Sequence, residues 1–331
     1  MSMGNLSKDT AATVKIYHGY GHADNLIVYG HVLRGKPFIR SSYTNNVIQN
    51  IIHLVKLFFV KPIPGVAVRL QWANQQLDSI TEADGFFKFE WQAASPTPAG
   101  WHPVQVHLVS GAGDVIETGT GSFFVPHVTQ YAFISDIDDT VLVSHSATKL
   151  SRLRVLFTKN PHSRKTFEDV VNHYHLLSIA HTEHAVPNPF FYVSSSEWNL
   201  YDDLAEFFRY NGLPEGVFLL SEIKKWYQLF KTGKTKHHGK LMRMVRILEA
   251  FPRQRFVLLG DNSQSDPDIY TAIANKYPGR IAAIYIRNIR AEKESDTKNL
   301  LASLHNKEIH TCVFEHNSEA LQHSKAIGLI V

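Results

Sequence analysis

The stretch Tyr131-Ala132-Phe133-Ile134-Ser135-Asp136-Ile137-Asp138-Asp139-Thr140 decides how this chain is read. It opens as a short apolar strand and closes with three carboxylates and a threonine in five residues. An extended backbone would set Asp136 and Asp138 on opposite faces. Just past a strand end the chain curls, and both can face one centre. Downstream, residues 190–193, 217–220, 256–259 and 281–286 are continuous apolar runs, the pattern of parallel strands buried on both faces. Helical patterns separate several of them. Residues 199–210 end at Asn211-Gly212, a C-cap signal, and residues 241–251 repeat apolar residues at helical spacing before Pro252. Asp266-Pro267 reads as the N-cap and first-turn proline of a third helix. Alternating strands and helices predict an open, doubly wound, mostly parallel Rossmann-like sheet, with its site beyond the carboxyl ends of the strands.

Polar groups follow those strand ends in a fixed order: Asp136 to Thr140, then Ser194, Ser195 and Ser196, then Lys240 at a helix start, then Asp261 to Asp266. Their chemistry is coherent. A carboxylate is ionised at neutral pH, so Asp136 can attack phosphorus without a base. Asp138 can protonate a leaving oxygen and later deprotonate water. Clustered oxygens from Asp136, Asp261 and Asp266 suit hard, octahedral Mg²⁺. The Ser194 hydroxyl, weighed against Ser195 and Ser196, can hold phosphoryl oxygens together with nearby backbone N–H groups. Lys240 adds a point charge for the same oxygens. The candidate set is Asp136 and Asp138 as catalytic groups and Thr140, Ser194, Ser195 and Lys240 for the phosphate. Asp136, Asp138, Asp261 and Asp266 form the candidate metal set. Asp139 reads as a structural turn residue.

The words Ser135-Asp136-Ile137-Asp138-Asp139-Thr140, Tyr192-Val193-Ser194, Trp198-Asn199-Leu200-Tyr201, Phe256-Val257-Leu258-Leu259-Gly260-Asp261 and Ile284-Tyr285-Ile286-Arg287 carry a resemblance. The chain looks like the haloacid dehalogenase superfamily of aspartyl phosphatases. More narrowly, it resembles the catalytic-domain family of the fungal actin-patch phosphatidate phosphatases. The resemblance covers about residues 130–290. It implies that Asp136 is the nucleophile, Asp138 the acid/base, Ser194 and Lys240 the phosphate ligands, and Asp261 and Asp266 the acidic metal motif. It also implies a lipid phosphate as substrate. The chain departs from the family pattern at Ser196-Glu197-Trp198, at Gly239-Lys240 and at Asn262-Ser263-Gln264, none of which removes a chemical role.

The first third reads differently. Residues 13–20, 26–33, 66–72, 86–91 and 104–109 alternate apolar and polar positions, and Asp84-Gly85 between such runs signals a hairpin. An antiparallel β-sandwich domain is expected over residues 1–128, similar to transthyretin-like modules. The phosphatase domain is expected over residues 129–331, with a small helical cap at 143–188. One segment interrupts the first domain. Residues 46–60 are apolar at most positions, while Asn46, Gln49, Asn50, His53 and Lys56 fall on one helical stripe. Such a helix wants cover, either by burial against the other domain or by lipid.

Length and composition agree with two globular domains. The 331 residues are 44% hydrophobic and 19% charged, which excludes wholesale disorder. The formal net charge of +4 is too mild to imply nucleic acid as a partner. One cysteine, Cys312, excludes an internal disulfide and a cysteine-rich metal site. No run of about 18 apolar residues appears and the first ten residues are polar. The expectation is a cytoplasmic protein, with peripheral membrane contact as a variant.

Three lures are declined. Gly233-Lys234-Thr235 lacks the first glycine of a P-loop. His173, His175, His181 and His184 lack supporting carboxylate or cysteine spacing for zinc. The basic stretch of Lys224, Lys225, Lys231, Lys234, Lys236, His237 and His238 reads as a solvated loop, or as a funnel for an anionic substrate or a contact for an acidic lipid surface. The functional expectation is a Mg²⁺-dependent phosphomonoesterase acting on a phosphatidate-like lipid. A soluble phosphorylated metabolite or a phosphoprotein is the enzymatic alternative, and a catalytically idle binding scaffold is the alternative from another class.

Overall fold

The computed structural model describes residues 11–22, 24–36, 43, 46–127, 130–143, 159–182, 186–222, 236–304 and 307–330. The basic stretch, apart from the backbone of 236–238, and Gly233-Lys234-Thr235 lie outside the described residues, as does His184. The described residues fall into two units. The first is drawn from Met1–Ser41 and Val55–His127, the second from Ser42–Leu54, Val128–Glu222 and Leu229–Val331.

The first unit holds β1 (Ala12–Ile16), β2 (Gly19–His22), β3 (Asn25–Arg34), β4 (Ala67–Trp72), β5 (Gln75–Ile80), β6 (Phe86–Trp91), β7 (Gly100–Val109) and β8 (Val115–Val125). Hydrogen bonds join them in the order β1-β3-β2-β8-β7-β4-β5, with β6 on β3. The sheet is mixed rather than wholly antiparallel, because β2 runs parallel to β8 at Gly19 and Tyr20. Gly19 permits the close packing there: a Cβ would lie 3.0 Å from Phe123 Cβ of β8 and 2.3 Å from the Ile27 carbonyl of β3. Val14, Ile16, Val28, Val68, Leu70, Phe87, Val106, Leu108 and Phe123 share one core, and they come from alternate positions of their strands.

The Asp84-Gly85 turn forms, with the Gly85 N–H donating to Glu82 O at 2.9 Å and φ of 77° at Gly85. It makes no hairpin, which corrects the expectation. The strand before it, β5, pairs with β4, whereas β6 pairs with β3. Thr81 diverts the chain at this point. Its hydroxyl donates to Ile63 O and accepts the Val66 N–H.

The second unit holds β9 (Ala132–Ser135), β10 (Phe190–Glu197), β11 (Gly216–Ser221), β12 (Phe256–Asp261), β13 (Ile281–Arg287) and β14 (His310–Phe314). The order is β11-β10-β9-β12-β13-β14 and every pairing is parallel. All residues of β9, β12 and β13 are buried, as their apolar runs require. Chain order reverses between β9 and β12, so a crevice opens at their carboxyl ends. Gly212, at φ 69°, stops the helix Tyr201–Tyr210 while the Leu213 N–H returns to Phe208 O at 3.0 Å, as Asn-Gly signals.

In the segment 143–188, residues 144–158 and 183–185 lie outside the described residues. The helix Val170–Ser178 within it packs on the sheet. The Tyr174 ring lies 5.5 Å from Phe190, and the His173 ring 5.8 Å from Tyr285. His173 also bonds the Ser324 hydroxyl and His181 the Gly328 carbonyl, so these histidines serve separate contacts. Among the described residues no helix is long and apolar enough to cross a membrane.

Candidate active site

β9 stops at Ser135 and the chain curls. The Val141 and Leu142 N–H groups both donate to Ile137 O at 3.0 Å, and the Asp139 N–H donates to Leu142 O at 2.8 Å. Asp139 sits at φ 59°, a left-handed conformation that aspartate tolerates better than most residues. Asp136 is held to β12 by its N–H on Leu259 O at 2.9 Å. Its carbonyl accepts the Ser135 hydroxyl, which also bonds Tyr174 Oη at 2.8 Å. The loops after β9 and β12 therefore share one crevice.

In it, carboxylate oxygens of Asp136, Asp261 and Asp266 lie within 4.8 Å of one another, and all three residues are buried. Lys240, from the helix Lys236–Ala250, places its Nζ 2.9 Å from Asp136 Oδ1 and against Asp266 Oδ1. Asp136 Oδ2 is buried with no hydrogen-bond partner. Asp261 Oδ1 accepts the Ser263 N–H at 2.5 Å, and its Oδ2 faces the Thr140 hydroxyl at 3.4 Å.

Asp266 corrects one sequence expectation. The helix Asp266–Lys276 is preceded by Ser265 as its N-cap, and Asp266 is the first helical residue. Its carboxylate is turned to Lys240 and to the Asp261 N–H instead of capping the helix. Gly260 makes room for it. A Cβ at Gly260 would lie 2.4 Å from Asp266 Oδ2 and 2.8 Å from Tyr270 Oη. Gly260→Ala is expected to cost about 1–3 kcal/mol through overpacking and to displace Asp266. Urea denaturation reads the first effect, and an unchanged midpoint would contradict this packing.

Three carboxylates around one ammonium leave an excess of negative charge. Burial pushes Asp136 well above the ordinary carboxylate range. Lys240 opposes this, while Asp266, Asp261 and Asp138 add to it. Burial and then Asp266 raise Asp261 to about 7, against the pull of Ser263 and Lys240. Burial alone would lower Lys240, but Asp136 and Asp266 outweigh it and hold the ammonium above its usual value. An all-oxygen set of three carboxylates, formally −2 once Lys240 is counted, with an orphaned carboxylate oxygen, fits a hard divalent cation.

The sign of the pH effect follows. Because folding raises Asp261, its contribution to stability is full below the range of an exposed aspartate and is lost as pH rises through about 7. The metal-free protein should therefore melt lower at pH 7.5 than at pH 5, and Asp261→Asn should shrink that gap. Equal gaps in the wild type and the Asn variant would contradict it.

Asp138 stands apart from the carboxylate trio. Its Oδ2 accepts the Ser194 hydroxyl at 3.3 Å and the Ser196 hydroxyl at 3.4 Å. These serines sit on an irregularity at the end of β10, and two-residue spacing brings both to one face. Ser195, between them, is half-buried, and its carbonyl accepts the Ser221 hydroxyl. Its hydroxyl is not among the groups brought to Asp138. Ser196 is the serine that sequence reasoning left out of the site, although period-two spacing from Ser194 pointed to it.

Arg243 is a second omission. One helical turn after Lys240, its Nη2 donates to Ser194 O at 3.2 Å, while its Nε is buried without a partner. Burial lowers it to about 10, with Arg246 adding and Asp136 opposing. A third omission is Asn262, whose Oδ1 accepts the Ile289 and Arg290 N–H groups and ties the loop after β12 to the loop after β13.

Comparison with known proteins finds relatives of the segment that holds these residues. Residues 131–288 match the sequence model of the family "Phosphatidate phosphatase APP1, catalytic domain". Phosphatidate phosphatase APP1 of Saccharomyces cerevisiae is 29% identical over 187 residues, which is 56% of this chain and 29% of that protein. An uncharacterized protein of Schizosaccharomyces pombe is 27% identical over 167 residues, 49% of this chain and 26% of that protein. The matches thus span less than a third of the length of these curated relatives. The trio, Asp138, both serines, Lys240 and Arg243 all lie inside the matched segment, and by sequence that segment is similar to the fungal actin-patch phosphatidate phosphatase catalytic domain, a phosphoric monoester hydrolase.

Proposed function

We propose that this chain is a Mg²⁺-dependent phosphatase that hydrolyses a lipid phosphate monoester of the phosphatidate class through an aspartyl-phosphate at Asp136. The observation that carries the reading is the orphaned Asp136 Oδ2 inside a buried carboxylate trio with Lys240, within the segment similar to a phosphatidate phosphatase catalytic domain. Asp136, Asp261 and Asp266 would hold the metal. When bound, Mg²⁺ supplies the positive charge that lets these carboxylates coexist with a phosphate dianion.

The remaining chemistry belongs to the chain. Asp136 attacks phosphorus as the phosphorus–oxygen bond to the lipid breaks. Asp138, held by Ser194 and Ser196, gives the leaving oxygen its proton. It then takes a proton from the water that attacks the aspartyl-phosphate, releasing phosphate and restoring Asp136. Lys240, Ser194 and the backbone around Ser196 bind phosphoryl oxygens, with Arg243 supporting that loop through Ser194 O. Thr140, whose hydroxyl faces Asp261 Oδ2 at 3.4 Å, is a further candidate for the phosphate.

The strand order supports a doubly wound Rossmann-like domain of haloacid dehalogenase type over residues 129–331. The shared core of the first unit supports a β-sandwich over residues 1–128. A cytoplasmic location belongs to the same proposal. The test is phosphate release from phosphatidate, lysophosphatidate and soluble sugar and nucleotide phosphates, each with a chelator control. Phosphatidate should lead the panel. Turnover of the soluble esters alone would move the substrate to a metabolite.

A further inference from the structure

We propose that Arg243 is a positioning residue that fixes the peptide between Ser194 and Ser195, so that the Ser195 N–H, rather than its hydroxyl, serves the phosphoryl group, a role that rests on the phosphatase reading above. The sheet leaves one carbonyl over. In β10, Tyr192 is the last residue in register with β9, and Val193 is the last in register with β11 before the irregularity. Ser194 is buried and lies in that irregularity, outside both registers. A buried carbonyl left without a donor is destabilising, so Ser194 O needs one from elsewhere.

Arg243 supplies it. From one turn past Lys240 on the helix Lys236–Ala250, its Nη2 donates to Ser194 O at 3.2 Å. Helical side chains lean toward the N-terminus, and the guanidinium lies back over Gly239, one turn earlier. A Cβ at Gly239 would stand 3.4 Å from Arg243 Nη1. Glycine within a helix is ordinarily unfavourable, and here the bare backbone leaves the guanidinium its room. A branched side chain at 239 would compete for that place. The Nε of Arg243 is buried without a partner, so the side chain is placed by its reach to Ser194 O and not by satisfaction of its own donors.

Peptide geometry does the rest. In a trans peptide the C=O and the following N–H point to opposite sides. With Ser194 O turned to the helix, the Ser195 N–H is turned away from it. Ser194 Oγ accepts the Ser196 N–H at 2.9 Å and donates to Asp138 Oδ2 at 3.3 Å. Ser195 O accepts the Ser221 hydroxyl at 3.1 Å. The carbonyls of Ser194 and Ser195 are thus both tied down, and the Ser195 N–H stands at a set angle beside the Ser194 hydroxyl. Fixed donors of this kind suit an oxyanion. Without Arg243 the Ser194 peptide loses its anchor, and rotation toward another donor would carry the Ser195 N–H with it.

The test is calorimetric titration of the full chain with inorganic phosphate in the presence of Mg²⁺, beside titration with Mg²⁺ alone. Arg243→Met, close in length but without donors, should weaken phosphate binding by at least about tenfold and keep the Mg²⁺ affinity within about twofold of wild type. Arg243→Lys, which keeps a charged donor, should recover part of the loss. Gly239→Leu keeps Arg243 but fills its place, and should show the same split between phosphate and Mg²⁺. Arg246→Gln, an exposed change on the same helix, should bind phosphate as wild type does. An Arg243→Met or Gly239→Leu chain with wild-type phosphate affinity would overturn the proposal. So would loss of phosphate and Mg²⁺ binding together in Arg243→Met, which marks a damaged fold and not a displaced peptide. If phosphate binding splits as expected while wild type hydrolyses no ester, the positioning stands and the catalytic reading fails. If wild type hydrolyses esters and Arg243→Met binds phosphate unchanged, the positioning fails and the catalytic reading stands.

Discussion

Asp136→Asn should lower turnover by at least about three orders of magnitude while leaving the chain folded. The substitution keeps the size of the side chain and removes the attacking anion. It also removes a charge that the site accommodates badly, since burial pushes Asp136 toward its protonated form. The melting temperature of the metal-free variant should therefore match or exceed that of wild type. Activity loss with intact stability separates a nucleophile from a structural aspartate. Near-normal turnover in the Asn variant would end the covalent mechanism.

Removing divalent cations should have the second largest effect. Chelation is expected to abolish turnover, and Mg²⁺ should restore it better than Ca²⁺, whose larger and looser oxygen shell suits in-line transfer poorly. Asp261→Ala should reduce activity by at least about two orders of magnitude or demand far more Mg²⁺. The reason lies in the crevice. With Lys240 as the ammonium between Asp136 and Asp266, the site stays short of positive charge before a phosphate dianion enters. Full activity in excess chelator would contradict the metal assignment.

Much of the crevice was legible because strand ends were legible. Continuous apolar runs marked β9, β10, β12 and β13, and the polar residues just after them became the site. The β14 strand and the helix Asn317–Ala326 escaped, since His310-Thr311-Cys312-Val313-Phe314 is short and mostly half-buried. β8 escaped for another reason. Its middle, Glu117 to Ser122, is polar or glycine and is held by backbone pairing with β7, which leaves no apolar alternation to read.

Side-chain direction was the harder part. Ser194, Ser195 and Ser196 are alike in sequence, and only the irregularity at the end of β10 shows which two meet Asp138. Asp266 looked like a cap because Pro267 follows it, yet Lys240, 26 residues away, claims its carboxylate. The helix at residues 47–58 showed its polar stripe plainly. That Asn50 and His53 of this stripe would be buried while Asn46, Gln49 and Lys56 stay exposed was not legible; His53 meets Asp203, 150 residues away.

The central claim is covalent transfer to Asp136, and acid-quenched trapping with phosphorus-labelled phosphatidate tests it most directly. Wild-type protein mixed with labelled substrate and Mg²⁺, then quenched within one turnover, should carry a hydroxylamine-sensitive phosphoryl group on the peptide containing Asp136. The Asp136→Asn chain should carry none. Steady phosphate release with no label on that peptide, or with the label on Ser194 or Ser196, would contradict the account.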